Sequence, residues 1–138
     1  MENKIRYLEM IQNVITRMAS NSFLLKGWTV TLVVGLLAFA NIDDMNKKYI
    51  ILALVPVFFF WVLDGFFIHQ EWLYRKLFEH AVTLREMEVN FSMSTKQFKE
   101  RKVNWLNAIF SKTLLIFYLP VLIVIVLALL TFPNISMK

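Results

Sequence analysis

Cysteine is absent from this 138-residue chain, which excludes a disulfide framework, a thiolate metal site and a nucleophilic thiol. The absence leaves the compartment open, because a membrane protein can do without cysteine anywhere. Histidine is scarce: His69 and His80 are the only two. On a helix they share nearly one face but stand about 16 Å apart along the axis, too far to hold one metal ion. The His-Glu-x-x-His pattern, the Gly-x-Ser-x-Gly elbow, the P-loop and paired aspartates within an apolar run are all missing. Ser94, Ser111 and Thr113 have no obvious base. These absences argue against an enzyme, and no cofactor or metal is expected.

Apolar residues, by contrast, are abundant: 58% of the chain is hydrophobic and the mean hydropathy is +0.56. They concentrate in three runs, Phe23–Ala40, Tyr49–Ile68 and Leu114–Phe132. Each run makes a helix about 27–30 Å long, which matches the hydrocarbon core of a bilayer. The expectation is an all-α integral membrane protein of one domain, whose apolar surface faces lipid or sister subunits. Ala38-Phe39-Ala40 resembles a signal-peptidase site, but the leader before it is long, helical in pattern and carries Glu2 and Glu9. The run also exceeds a signal core, so it reads as a retained transmembrane helix.

Along the chain, Ile5, Leu8, Ile11, Val14, Ile15 and Met18 recur at spacings of three and four and predict an amphipathic helix over 1–21. Its mixed-sign polar face favours packing on another helix over simple attraction to anionic lipid. The first span is 23–40, and the polar turn Asn41–Lys48 makes a hairpin with the second, 49–68. Nothing breaks the helix after Ile68, so the second span should continue to about residue 90. Ser94 with Gln97 has capping-box spacing and predicts a cytosolic and juxtamembrane helix over 94–113, with Trp105 at the interface. The third span is 114–132, ended by Pro133-Asn134. Lys and Arg crowd the N-terminal segment and the stretch between the second and third spans. The positive-inside rule then puts the N-terminus in the cytoplasm and the C-terminus outside the cell membrane.

Lys26 and Asp64 are ionisable groups inside spans, where a charge is costly and marks a structural pair or a functional site. In the hairpin they fall within about 1.5 Å of one depth. They predict either an intramembrane ion pair or, once several copies assemble, a charged pore mouth. Gly27, Thr31, Gly35 and Ala38 form a small-residue stripe suited to close helix packing, within the chain or between subunits, or to a pore lining. Pro56 and Pro120 lie inside spans and offer hinges, although prolines are common in membrane helices for packing alone. Lys96, Lys99, Arg101 and Lys102 could contact lipid headgroups, a partner or a nucleotide; the positive-inside rule also accounts for them, and nucleic acid is the lesser reading.

Two strings, Arg17–Trp28 and Phe110–Tyr118, resemble a group of small bacterial multi-span membrane proteins. The layout of a cytosolic helix, a two-span hairpin and further cytosolic helices resembles the SLATT class over about the first 90 residues, with the third span as an addition. That resemblance implies a pore-forming effector of bacterial conflict systems, often encoded beside nucleotide-signal synthases. The expected function is therefore an oligomeric pore or channel of an abortive-infection-type defence system in the bacterial inner membrane. Expected partners are membrane lipid, further copies of the chain, and a cytosolic defence partner or nucleotide signal. The alternative is a non-conducting membrane anchor or regulatory subunit that recruits a cytosolic partner. A transporter subunit or intramembrane enzyme is disfavoured by the scarcity of buried ionisable groups.

Overall fold

No glycine or proline interrupts the chain before Gly27, and a single helix, α1, runs from Glu2 to Ala40 in a computed structural model that describes residues 1–40, 48–98 and 104–131. Its 39 residues extend about 58 Å. The separate helices expected over 1–21 and 23–40 are thus one element. At the expected junction the Ser22 hydroxyl donates across to Asp64, so it does not cap a new helix. Helix α2, Lys48–Thr83, is nearly as long and passes through Pro56 without ending.

These two helices pack antiparallel and form two cores in series. Near the N-terminus, Tyr7, Ile11 and Ile15 of α1 meet Leu77 and Ala81 of α2. Of the predicted apolar stripe, Ile11 and Ile15 are buried, whereas Ile5 is exposed. Tyr7 is the anchor instead, with its hydroxyl donating to the Ser92 carbonyl and its ring edge-on to Phe91. The second core joins Val33 of α1 and Ile50, Ala53, Val57 and Ile68 of α2 to Leu114, Tyr118 and Ile125. The last three belong to α4, Lys112–Thr131.

Helix α2 stops at Thr83, short of the expected residue 90. The Thr83 hydroxyl donates to the His80 carbonyl, and Arg85 is extended, with its backbone N–H bonded to the Glu88 carboxylate. This exit carries Glu86 to the start of α1, where its carboxylate accepts from the backbone N–H groups of Asn3 at 2.9 Å and Lys4 at 3.3 Å. An anion at a helix N-terminus satisfies donors that the helix itself leaves open. Lys4 Nζ returns a bond of 2.7 Å to the Val82 carbonyl, tying the two helix ends together. The Met1 ammonium, followed by the Asn3 and Lys4 amides, holds the Glu86 carboxyl below its ordinary value.

The described residues of the expected helix over 94–113 form shorter elements instead. Ser94 caps no helix; a single 3₁₀ turn, Lys96–Phe98, is closed by the Phe98 N–H on the Thr95 carbonyl. The five-residue α3, Trp105–Ile109, follows, and the chain bends at Phe110-Ser111 before α4. The bend fits a tight contact: a Cβ at Gly65 of α2 would lie 2.5 Å from Ile109 Cγ1, so only glycine lets α3 approach this closely. Trp61 Nε1 holds the same point by donating to the Ile109 carbonyl. Of the predicted turn Asn41–Lys48, residues 41–47 lie outside the described residues, as do residues 99–103 and 132–138, and Lys48 is the first residue of α2.

No strand occurs among the described residues, and three helices are long and apolar enough to cross a membrane, within Glu2–Phe39, Ile50–Thr83 and Lys112–Thr131. The chain is a helical membrane protein.

Candidate functional site

All three long helices meet at Asp64, whose side chain is wholly buried. From α1, Lys26 Nζ lies 2.6 Å from Asp64 Oδ2, and one turn earlier the Ser22 hydroxyl donates to Oδ1. From α4, the Tyr118 hydroxyl donates to Oδ2 at 3.0 Å and reaches the Phe60 carbonyl at 3.3 Å. Lys26 Nζ also donates to Ser22 Oγ at 2.7 Å, so the three polar groups of α1 and α2 close a triangle. Charge-assisted bonds of this kind are roughly twice as strong as neutral ones, and a carboxylate in so dry a place needs them.

Aromatic rings wall the cluster. Trp61 stacks on Tyr118 with the planes 3° apart and the centroids 5.6 Å apart. Phe117 lies edge-on to Tyr118, and Lys26 Nζ stands 5.8 Å from the Phe117 centroid. Thr29, one turn beyond Leu25, is buried and satisfied by its own helix, donating to the Leu25 carbonyl. Such an arrangement fixes how α4 docks on the α1/α2 pair. Within the cluster Ser22 is 3% exposed and Asp64 0%.

The remaining predicted residues are dispersed. Gly27, Thr31 and Ala38 are exposed on α1, and a Cβ at Gly27 or Gly35 would meet nothing within 4 Å. The stripe therefore faces away from α2 and α4, with the Thr31 hydroxyl turned onto the Gly27 carbonyl at 2.9 Å. Pro56 and Pro120 each sit within a continuing helix, Pro120 beside Val30 and Val34 of α1. Lys96 is exposed in the 3₁₀ turn, while Lys99, Arg101 and Lys102 lie outside the described residues. His80 rests against Phe98, and no group of three metal-binding side chains forms among the described residues.

Ser22 and Tyr118 escape a sequence reading. Ser22 carries a signal, standing four residues before Lys26 on the same face, where a hydroxyl can join an ion pair. Tyr118 carries none, because its role depends on how α4 docks. The chain matches no family model, no curated protein and no solved structure.

Proposed function

We propose that this chain is the subunit of an oligomeric membrane pore or channel, an effector of a bacterial defence system of the abortive-infection type, held shut until a partner or signal acts on it. The observation that carries the reading is the unpartnered small-residue face of α1, where Gly27 and Gly35 leave open space beside the helix. In lipid, helices associate by close packing at such faces, since apolar surface alone supplies no drive. Three helices are too few to enclose a water-filled path within one subunit, so conduction takes several copies. Because Lys26 and Asp64 are paired inside the subunit, a lining drawn from Gly27, Thr31, Gly35 and Ala38 is uncharged. Charge selectivity should accordingly be weak.

In this reading the protein sits in the bacterial inner membrane with its N-terminus in the cytoplasm, as the Lys/Arg excess favours. The N-terminal half of α1 and the last turns of α2 then form a cytoplasmic helix pair, fastened by Glu86 and Lys4, that a defence partner or nucleotide signal would act on. Pro56 and Pro120 supply the points at which the spans bend on opening. The resemblance to SLATT-like effectors supports the same direction. The second reading, a non-conducting anchor or regulatory subunit, draws on that helix pair too, since its separate core around Tyr7 and Leu77 is a stiff mount for a cytosolic protein.

Stoichiometry distinguishes them. Particle images and mass measurement of the detergent-solubilised protein should give a closed ring, broken to smaller species by Gly35→Leu. A monomer at every concentration, with and without the products of neighbouring genes, would leave the anchor.

A further inference from the structure

A groove of about 560 Å³ opens between α1 and α2 just outside the first apolar run. Its upper wall is polar, formed by Gln12, Thr16, Ser20 and Arg75; its lower wall is Phe23 and Leu24, which are 77% and 57% exposed. A second hollow of about 280 Å³ shares those two apolar residues and continues down α1 past Trp28. The change from polar to apolar falls where the bilayer changes. Phe23 begins the hydrocarbon run, and Ser20 and Thr16 stand about 4–10 Å above it along the helix, spanning the headgroup layer. Arg75 is fixed at that level by Glu71 one turn nearer the apolar run, with Nε and one Nη at 3.0 and 2.7 Å from a single carboxylate oxygen. A guanidinium has five N–H groups, so most of this one is left to face the groove.

We infer that the groove binds one membrane phospholipid, with its phosphodiester on Arg75 and an acyl chain lying over Phe23 and Leu24. A planar guanidinium accepts a phosphate in two-point geometry, and the Ser20 and Thr16 hydroxyls and the Gln12 amide supply further donors along the same wall. The adjacent Glu71 carboxylate offsets the Arg75 charge, so the site recognises the phosphate shared by anionic and zwitterionic lipids. The polar wall lies above the small-residue face of α1, and the hollow beneath it reaches Gly27 and Thr31 of that face, so an acyl chain and a neighbouring subunit would meet there.

The test is native mass spectrometry of the purified full-length protein in detergent, titrated separately with phosphatidylglycerol, phosphatidylethanolamine and diacylglycerol. One phospholipid per chain should be retained in both phospholipid series, and diacylglycerol should not be retained. Arg75→Gln should weaken retention about tenfold or more, the loss expected for a hydrogen bond to a charged group, and Arg75→Lys should restore part of it. Ala19→Trp, which fills the groove without touching the charge, should also remove the lipid, while Arg6→Gln at the far end of α1 should not. Retention that is unsaturable, indifferent to the phosphate and unchanged by both Arg75→Gln and Ala19→Trp would overturn the site. Loss in Ala19→Trp alone would overturn the phosphate assignment.

Discussion

Replacing Lys26 by methionine keeps the length of the side chain but removes the cation paired with Asp64. Asp64 has no exposed side-chain surface, and Lys26 is 17% exposed, so water cannot take the place of the missing partner. Breaking one side of a buried ion pair costs about 3–5 kcal/mol, most of it the penalty of the orphaned charge. Two donors, Ser22 and Tyr118, remain on the carboxylate and keep the loss toward the lower end of that range. Tyr118→Phe and Ser22→Ala each remove one bond to a charged acceptor and should cost about 1.5–3 kcal/mol. The informative variant is the double, Lys26→Met with Asp64→Leu. Replacing both partners by apolar groups removes the orphaned charge and leaves only the Ser22 and Tyr118 hydroxyls without their acceptor, a smaller loss, so the double should be more stable than Lys26→Met alone. The assay is denaturant unfolding in detergent micelles followed by tryptophan fluorescence, since Trp61 stacks on Tyr118 and reports directly on the site. Costs that add in the double would show that Lys26 and Asp64 do not depend on each other, and the account of the ion pair between α1 and α2 would fail.

Three further outcomes follow from the same structure. Gly65→Ala places a Cβ 2.5 Å from Ile109 Cγ1, so it should destabilise the α2/α3 contact by about 1–3 kcal/mol, whereas Gly27→Ala, with nothing near, should be tolerated; unfolding midpoints of the two variants check this. Because the Glu86 carboxyl is lowered in the folded state, the clasp on α1 is fully present above the ordinary glutamate value of 4.5 and is lost as pH falls below it through the lowered value. Protection of the Asn3 and Lys4 amides, taken relative to the intrinsic exchange rate at each pH, should therefore fall on acidification in the native chain, and be low and pH-independent in Glu86→Gln. Single cysteines introduced into the cysteine-free chain should label from outside intact cells at Asn46 and Ser136 but not at Gln12 or Lys96, and external labelling at Lys96 would reverse the orientation.

The spans and the level of Lys26 with Asp64 are legible in the sequence because both follow from helical rise and hydropathy, which act locally and add along the chain. What is not legible depends on residues far apart. Helix α2 ends at Thr83 because Glu86 is drawn to the amides of Asn3 and Lys4, more than 80 positions away in sequence, and nothing near residue 83 is a glycine or proline. The same holds for Tyr7, whose burial depends on the loop that carries Phe91 and Ser92, with Phe91 held at a φ of 55°. Capping-box spacing at Ser94 misleads for a related reason. A single cap contributes only about 1 kcal/mol, and α3 is held against Gly65 of α2 by a contact that spacing near Ser94 does not foretell. In the polar cluster, the charges announce themselves inside apolar runs and Ser22 is marked by its spacing from Lys26, whereas the Tyr118 hydroxyl looks like any other until the helices are brought together.

Ion flux is the most direct test of the central claim. The purified chain would be reconstituted in liposomes, with and without the products of its neighbouring genes, and the release of trapped potassium and chloride followed. The account predicts flux that appears only on activation, discriminates little between the two ions, and is abolished by Gly35→Leu together with assembly. Liposomes that stay sealed under every activating condition, around a protein that stays monomeric, would contradict it.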